Sequence, residues 1–404
     1  MAYGIKKYVE SCGVELIAGS TESNEFTAKV SKVQGPLRVA NMKEFVATYC
    51  LHLIGDTAEY MLPTPYLCSG MLQTVYCTAV ALKRDVYSEV SYDRQCFTMS
   101  DQGTVSVDWY PKRPQDAANK APIVLIIPGL AGSSYEYHIR SMVKHLADSD
   151  SSYCVGVVNH RGCSRTPLTS SKPYSASDTN DLGEIVDAVA AVCPGTPLVG
   201  LGYSLGANIL TKYLGEKGAD SLLAAAVAIS CPFDLNVAGR SLDASNFLND
   251  NMYQPNLVAT MKRMISRNID ILQSGGVKYD VDAIMNSTRM SEIDYHFTCK
   301  RYGYSDCWSY YRDASSTAYV DSIRTPFLAI NSLDDPITPS QGIPIDKITN
   351  NPFTALALTK YGGHLGFFTG LSAQIWYLHP VKQFFDSITS PMMPTPTTAK
   401  PVAS

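Results

Sequence analysis

Residues 202–206 read GYSLG, and this G-x-S-x-G pattern can present a serine for nucleophilic attack on an acyl carbon. The pattern is short enough to arise by chance, so its surroundings decide its meaning. An apolar run at Pro197–Tyr203 predicts a strand that leads into it, and Leu205–Leu214 has the spacing of a helix that follows it. This setting places the Ser204 hydroxyl on a tight turn at a helix N-terminus, where developing negative charge is favoured. The pattern therefore indicates a nucleophilic Ser204 rather than a glycine-rich structural turn.

A serine nucleophile needs a general base, and His364 is the candidate. It lies in YGGHLG at residues 361–366, directly after the last predicted strand, and the glycines allow this loop to bring the imidazole to Ser204. The other histidines fit less well because of their positions: His52, His138, His145 and His160 precede Ser204, His296 precedes every candidate acid, and His379 lies in a predicted helix.

Two neighbouring carboxylates, Asp334 and Asp335, follow the predicted strand Phe327–Asn331. An acid at this place gives the chain order serine, acid, histidine that accompanies such a motif. We select Asp335, because it begins the segment DPITP, in which an apolar residue after a strand-end carboxylate anchors the loop. Asp334 is expected to cap or brace the turn.

These residues together predict acyl transfer through a covalent intermediate. His364 takes the proton of Ser204 as the serine attacks an acyl carbonyl, while Asp335 fixes the histidine tautomer and stabilises the imidazolium. The oxyanion needs two backbone donors. We assign them to the N–H groups of Leu205 and of Leu130, which lies in the loop after Ile127. No cofactor and no metal is expected.

Around these residues, short apolar runs alternate with stretches of helical spacing. The runs suit strands buried on both faces, so the fold class is α/β, with a mostly parallel central sheet flanked by helices. The predicted strands are 95–99, 105–110, 123–127, 154–159, 197–203, 224–230, 327–331 and 355–359, and the predicted helices are 45–62, 135–147, 178–192, 205–214 and 373–388.

Composition along the chain divides it into five segments. Residues 1–92 are predicted to form an N-terminal extension that packs on the core, and 93–232 and 321–390 the two parts of that core. Residues 233–320 are polar, helix-prone and rich in aromatic residues, which predicts a helical cap inserted over the carboxyl edge of the sheet. The tail, 391–404, is rich in proline and threonine and is predicted to be disordered.

Charge and cysteine usage exclude several classes of protein. The net charge is −4 and the pI about 6.0, so no basic surplus is available to neutralise nucleic-acid phosphates. The eleven cysteines include no pair with CxxC spacing, which favours small buried thiols in a reducing compartment. A signal-peptide pattern and a run of about 18 apolar residues are both missing from the sequence. We therefore expect a cytoplasmic protein with no obligate protein partner.

Two further patterns allow a functional interpretation, but a structural one is favoured for each. Residues 145–150 fit the HxxxxD pattern of some acyltransferases, yet a helix end that runs into a polar loop explains them more simply. Asp178 and Asp181 could suggest a metal site. Capping of a helix and interaction with its dipole explain both better.

The chain resembles the abhydrolase-domain family that contains the animal membrane acylglycerol lipases and phospholipases and the yeast medium-chain ethyl ester synthase/esterases. The matching motifs extend over about residues 60 to 370. They are SGMLQT at 69–74, PGL at 128–130, NHRG at 159–162, GYSLGAN at 202–208, Gly303-Tyr304, Tyr310-Tyr311, Ala314-Ser315-Ser316, NSLDDP at 331–336 and GGHLGF at 362–367. The family often has a histidine at the position of Met71.

This resemblance implies an α/β-hydrolase fold and a catalytic triad of Ser204, Asp335 and His364. It implies hydrolysis of carboxylic esters of acyl lipids, such as monoacylglycerols and medium- or short-chain fatty acyl esters. The alternative is an acyl-CoA:alcohol O-acyltransferase that uses the same triad. A non-catalytic binding protein on this fold is a third hypothesis, against which the intact triad argues. Animal members carry an N-terminal membrane anchor that this sequence does not show, so any contact with a membrane or lipid droplet is expected to be peripheral.

Overall fold

The computed structural model describes residues 14–34, 39–50, 62–81, 90–116, 121–148 and 153–389. The strands of the central sheet are β1 (Val14–Ala18), β2 (Asp93–Thr98), β3 (Thr104–Tyr110), β4 (Ile123–Ile127), β5 (Cys154–Asn159), β6 (Leu198–Tyr203), β7 (Ala225–Ile229), β8 (Phe327–Ser332) and β9 (Thr354–Thr359). Within the described ranges they form one nine-stranded sheet in the order β1-β9-β8-β7-β6-β4-β5-β3-β2.

The six strands β4 to β9 run parallel and occupy the middle of the sheet. Every residue in them is buried, because helices cover both faces. This is why they read as continuous apolar runs rather than as alternating ones. The predicted mostly parallel sheet is confirmed.

The edge strand β1 is an element that the sequence does not predict. It pairs antiparallel with β9, with Val14 opposite Thr359 and Ala18 opposite Ala355. The strand is only five residues long and mostly half-buried, so its side chains show little of the alternation that reveals a strand. Its pairing with the other end of the chain is a tertiary effect.

Helices flank the sheet on both sides. Those outside the connection between β7 and β8 are α1 (Asn24–Gln34), α2 (Met42–Tyr49), α3 (Gly70–Ala81), α4 (Tyr137–Ala147), α5 (Asn180–Val192), α6 (Leu205–Lys217), α14 (Ile345–Asn350) and α15 (Leu378–Thr389). On one side, the ring of Phe45 in α2 packs edge-on against Phe384 in α15, which joins the two ends of the chain.

The predicted helices 135–147, 178–192 and 205–214 differ from the observed bounds by two or three residues at one end, and two other predictions differ by more. The helix predicted at 373–388 begins only at Leu378, because Ala373 has a positive φ of 52° and Gln374–Ile375 forms a strand, β11, paired with Phe368–Thr369, β10. The helix predicted at 45–62 begins at Met42 and ends at Tyr49, where Cys50 leaves helical geometry. Residues 51–61 and the predicted tail at 391–404 lie outside the described residues.

The connection between β7 and β8 is helical along its described length. Its α-helices are α7 (Leu235–Asp243), α8 (Gln254–Arg267), α9 (Ile269–Ser274), α10 (Val281–Asn286), α11 (Met290–Ile293), α12 (Cys299–Tyr302) and α13 (Cys307–Ala314). We call these helices and the turns between them the cap. An apolar cluster joins the cap to the rest of the protein. It includes Met261 and Ile265 of the cap and Cys163 and Leu168 from outside it, and Leu130 of the loop after β4 packs against it.

In the described part of the chain, none of the helices combines the length and the apolar character needed to cross a membrane.

Candidate active site

Ser204 occupies the turn between β6 and α6 in a strained backbone conformation. Its φ is 50° and its ψ is −119°, values that a residue with a side chain adopts only when the surrounding structure holds it there. The Ser204 N–H donates to the carbonyl oxygen of Ile229 in β7 at 2.9 Å, and the first turn of α6 closes on the Ser204 carbonyl. The turn therefore lifts the Ser204 side chain out of the sheet at the start of a helix.

The two glycines of the motif are required by close backbone contacts. A Cβ atom on Gly202 would lie 2.5 Å from the Cα of Ala207. One on Gly206 would lie 2.3 Å from the carbonyl oxygens of Ile127 and Pro128. Backbone atoms of β4 and α6 cannot move aside as a flexible side chain can, so both positions need glycine.

The structure brings Ser204, His364 and Asp335 together in one hydrogen-bonded chain. Ser204 Oγ lies 2.8 Å from His364 Nε2, and His364 Nδ1 lies 2.8 Å from Asp335 Oδ2. The Asp335 side chain is fully buried and that of His364 is 9% exposed. A buried carboxylate on Nδ1 selects the tautomer that leaves Nε2 free to accept the serine proton.

The loop after β8 fixes Asp335 with three further hydrogen bonds. Oδ1 accepts the N–H groups of Ile337 and Thr338, both at 2.8 Å, and Oδ2 accepts the Thr338 hydroxyl at 2.6 Å. Thr338 is a functional residue that was not predicted from the sequence. The spacing D-x-x-T, in which a carboxylate accepts backbone donors two and three residues on, is a local signal that could have found it.

Asp334 points to a different partner from Asp335. Its Oδ1 accepts the N–H of Gly363 at 3.0 Å, which ties the loop of the acid to the loop of the histidine. Burial raises the pKa of this carboxyl above its ordinary value, although backbone hydrogen bonds from Gly363 and Gly70 oppose the shift. Asp334 thus braces the histidine loop and makes no contact with the imidazole.

The backbone of the histidine loop is held by two hydroxyls. The His364 N–H donates to Thr74 Oγ1 at 2.8 Å, and the Leu365 N–H donates to Ser230 Oγ at 3.1 Å. Thr74 belongs to α3, about 290 residues earlier in the chain. Neither residue carries a local signal of this role, because only the packing of α3 and β7 against the loop creates it.

The two amides predicted to stabilise an oxyanion flank Ser204. Leu205 is the next residue, and a Cβ atom on Gly129, which precedes Leu130, would lie 3.3 Å from Ser204 Cβ. Within the described part of the chain, neither the Leu130 N–H nor the Leu205 N–H donates a hydrogen bond to a protein acceptor. Both donors are therefore available to a ligand oxygen.

The acidic residues near the start of α5 form ion pairs. Arg161 is 2% exposed, and its guanidinium binds both carboxylate oxygens of Asp181, at 2.7 and 2.5 Å, and Asp101 at 2.7 Å. Asp178 pairs with Lys172 and accepts the N–H of Asn180. Helix capping thus fits Asp178, whereas the role of Asp181 is to neutralise a buried arginine.

The histidine of the HxxxxD pattern lies in α4, away from the triad. The His145 ring packs edge-on against His379 in α15 with 4.9 Å between centroids. Burial lowers the pKa of His145 to about 4, and His379 adds to the shift. Asp150 lies outside the described residues.

Comparison with known proteins agrees with this fold. Residues 122–371 match the model of the alpha/beta hydrolase fold family. The chain is 30% identical to human phospholipase ABHD3 over 93% of this chain and 90% of that protein. It is 33% identical to a Saccharomyces cerevisiae monoacylglycerol lipase over 69% and 62% of the two chains. It is 28% identical to medium-chain fatty acid ethyl ester synthase/esterase 2 of the same yeast over 92% and 94%.

The family match covers more than half of the chain, and the similarity to ABHD3 extends along nearly all of it. The sheet order, the strained serine turn and the relatives all indicate the same family. This chain belongs to the α/β-hydrolase fold family.

Proposed function

We propose that this protein is a serine carboxylic ester hydrolase that cleaves acyl-lipid esters, such as monoacylglycerols or medium- and short-chain fatty acyl esters. One observation carries the proposal. Ser204, His364 and Asp335 form an unbroken hydrogen-bonded chain at the carboxyl edge of a parallel sheet, with both contacts at 2.8 Å. Such a chain turns a weak nucleophile, a serine hydroxyl, into a reactive one.

The proposed reaction begins as Ser204 Oγ attacks the ester carbonyl carbon and its proton passes to His364 Nε2. The imidazolium that forms is stabilised by Asp335. The carbonyl oxygen gains negative charge, and the Leu130 and Leu205 N–H groups donate hydrogen bonds to it. Collapse of this intermediate releases the alcohol, protonated by His364, and leaves an acyl-enzyme. A water molecule, deprotonated by His364, then attacks the acyl carbon. The bond from that carbon to Ser204 Oγ breaks, Oγ regains a proton from His364, and the fatty acid leaves.

The surroundings of Ser204 support an apolar acyl group. Leu130 packs against the cap cluster that contains Val258 and Met261, and Leu205 packs against a second cluster that contains Leu235. Apolar side chains therefore lie on both sides of the serine, which suits a hydrocarbon chain. The relatives named as a phospholipase, a monoacylglycerol lipase and an ethyl ester synthase/esterase support the same class of substrate.

Peripheral contact with a membrane or lipid droplet stays a prediction. Exposed apolar side chains near the histidine and acid loops support it: Tyr66, Met71, Leu72, Leu333 and Leu371. Among them, Tyr66 donates to the Leu371 carbonyl at 3.1 Å, and Leu333 is two residues from Asp335.

An ester panel with matched serine variants tests the proposal. p-Nitrophenyl esters of increasing chain length and monoacylglycerols are the substrates, and a fluorophosphonate probe reports the reactive serine. We expect Ser204→Ala to lose both hydrolysis and labelling. Ser141→Ala, which removes a buried hydroxyl bonded within α4, should keep both. Hydrolysis that survives in Ser204→Ala would contradict the proposal.

The acyltransferase alternative uses the same acyl-enzyme with an alcohol in place of water. Product analysis with a medium-chain acyl-CoA, with and without ethanol, separates the two. The proposal expects free fatty acid as the main product in both cases. Ethyl ester as the dominant product would favour acyl transfer instead.

A further inference from the structure

His160 and Tyr174 form a stacked pair beneath the loop that follows β4. The two rings lie 4.6 Å apart with an angle of 16° between their planes. His160 Nε2 lies 3.1 Å from the Pro128 carbonyl oxygen, and the Tyr174 hydroxyl accepts the Ala131 N–H at 2.9 Å. The pair therefore holds both ends of residues 128–131, the segment that contains the proposed oxyanion donor Leu130 N–H.

The protonation states of the pair suit this role. His160 is buried, and burial lowers its pKa, so the ring is neutral at pH 7 and its bond to a carbonyl requires the proton on Nε2. Burial raises the pKa of Tyr174 well above its ordinary value, which keeps the hydroxyl protonated. The hydroxyl can then accept from Ala131 and donate to Met261 Sδ, 3.6 Å away in α8.

The segment needs such support because its backbone is strained. Ala131 has a φ of 49°, in the left-handed region that a residue with a side chain rarely occupies. A hydrogen bond on the Ala131 amide stabilises this conformation directly. The direction of the preceding peptide, which carries the Leu130 N–H, depends on it.

Resting on the proposed function, we propose that His160 and Tyr174 are positioning residues that aim the Leu130 N–H at the oxyanion and couple its position to the cap through Met261. They touch the loop and not the reacting atoms. His160 Nε2 is bonded to the Pro128 carbonyl, and the imidazole that bonds to Ser204 Oγ is that of His364. The Tyr174 hydroxyl bonds to Met261 as well as to the Ala131 N–H. A change in the packing of the cap around Met261 can therefore shift the Leu130 N–H through the Tyr174 side chain.

Tyr174→Phe tests the tyrosine, because it removes the hydroxyl and keeps the ring that stacks on His160. We expect kcat for a medium-chain ester to fall about 10- to 100-fold with KM within about threefold, since loss of one oxyanion donor costs 10²- to 10³-fold and a displaced donor less. Tyr153→Phe is the matched control. It also removes a buried hydroxyl, one bonded to Asp386 and Thr389 in α15, and should leave kcat unchanged.

A readout specific to the oxyanion is inhibition by an alkyl trifluoromethyl ketone. Ser204 Oγ bonds to the carbonyl carbon, the carbonyl electron pair moves to oxygen, and the serine proton passes to His364, so the adduct places an oxyanion where the ester would. Its inhibition constant should rise in parallel with the loss of kcat in Tyr174→Phe. The affinity for the alcohol of the same chain length, which forms no adduct, should stay unchanged.

His160→Gln and His160→Leu give a second, independent test. A glutamine amide can still donate to the Pro128 carbonyl, whereas leucine cannot. We expect His160→Gln to keep at least several-fold more kcat than His160→Leu. This comparison stands even if Tyr174→Phe proves unstable, and melting temperatures show which variants are folded.

Equal kcat in the two His160 variants, or an effect of Tyr174→Phe on KM alone, would overturn this inference. Either result with an inactive Ser204→Ala would leave the proposed function standing. Activity that persists in Ser204→Ala would instead remove the proposed function on which the inference rests.

Discussion

Two buried aspartates show how differently the sheet core and the cap are stabilised. In the core, Asp108 on β3 binds Arg94 with both oxygens at 2.7 Å and also accepts from Ser134 and Asn159. Burial alone raises the pKa of Asp108, but these donors outweigh it and hold the pKa below its ordinary value. The core therefore keeps this carboxylate charged.

In the cap, Asp294 lies between α11 and α12, where it accepts two hydroxyl hydrogen bonds and, among the residues that the structure describes, pairs with no cation. Thr298 donates at 2.6 Å and Tyr311 at 2.7 Å. Burial dominates here and raises the pKa of Asp294 to about 6. The contrast is between Asp108, a buried carboxylate that Arg94 and two polar side chains keep charged, and Asp294, a buried carboxyl whose pKa lies close to neutral pH.

The largest expected effect is the loss of kcat when the carboxylate of Asp335 is replaced. Asp335→Asn should lower kcat about 10⁴-fold, since an amide in this place favours the wrong histidine tautomer while the fold is retained. Asp334→Asn is the neighbouring control, and it should cost less than about tenfold because Asp334 bonds to the Gly363 N–H, whereas Asp335 bonds to the imidazole. Steady-state kinetics on one ester measures both. Similar losses in the two variants would show that the acid had been assigned incorrectly.

The next prediction tests whether Arg94 stabilises the buried charge of Asp108. Arg94→Met should reduce the free energy of unfolding by about 2–4 kcal/mol at pH 7, because it leaves the Asp108 carboxylate buried without its cation.

Arg113→Met is the control for Arg94→Met. The control variant loses an ion pair between Arg113 and Asp93. There the side chains are 32% and 43% exposed, so the cost should stay under about 1 kcal/mol. Denaturant unfolding compares the two variants, and equal losses would argue that burial of Asp108 is not the cause.

The last effect is the pH dependence of the cap, which reaches its full size only across a range of pH. The pKa of Asp294 in the fold, about 6, lies above the 3.8 of the unfolded chain, so the folded state binds the extra proton. Protonation of Asp294 therefore adds to the free energy of unfolding. This contribution is fully present below about pH 4 and is lost as the pH rises to about 6. A pKa difference of about 2 units corresponds to roughly 3 kcal/mol.

Asp294→Asn removes this titration and keeps an oxygen that can accept the Tyr311 hydroxyl. The variant should therefore gain stability relative to the parent protein between pH 4 and 7. Unfolding measured at several pH values gives the difference between the two curves. Parallel curves would show that Asp294 does not titrate in this range.

Much of this protein could be predicted from local pattern. Strands β4 to β9 are buried on both faces, so each is a compact apolar run with recognisable ends. The serine turn requires glycine at positions 202 and 206, because the neighbouring backbone leaves no space for a Cβ atom there. Five consecutive residues therefore identify the turn. The spacing of Asp335 and His364 after their strands likewise follows from parallel strands that end at one edge of the sheet.

Other features could not be predicted because their causes are distant in the chain. The half-buried strand β1 becomes a strand only through β9, more than 300 residues later. Thr74 acquires its role from a loop at 361–366, and Asp181 acquires its own from Arg161. None of these residues differs in local pattern from an ordinary polar surface residue.

The sequence by itself determined the α/β class, the serine turn, and the order of serine, acid and histidine, because each depends on neighbours within a few residues. Only the tertiary structure decided how those groups are held. It placed Thr74 and Ser230 under the histidine loop, and His160 and Tyr174 under the loop after β4. It also placed a charged aspartate in the core and a titrating one in the cap. Hydrogen bonds and burial between distant segments set these arrangements, and local spacing does not encode them.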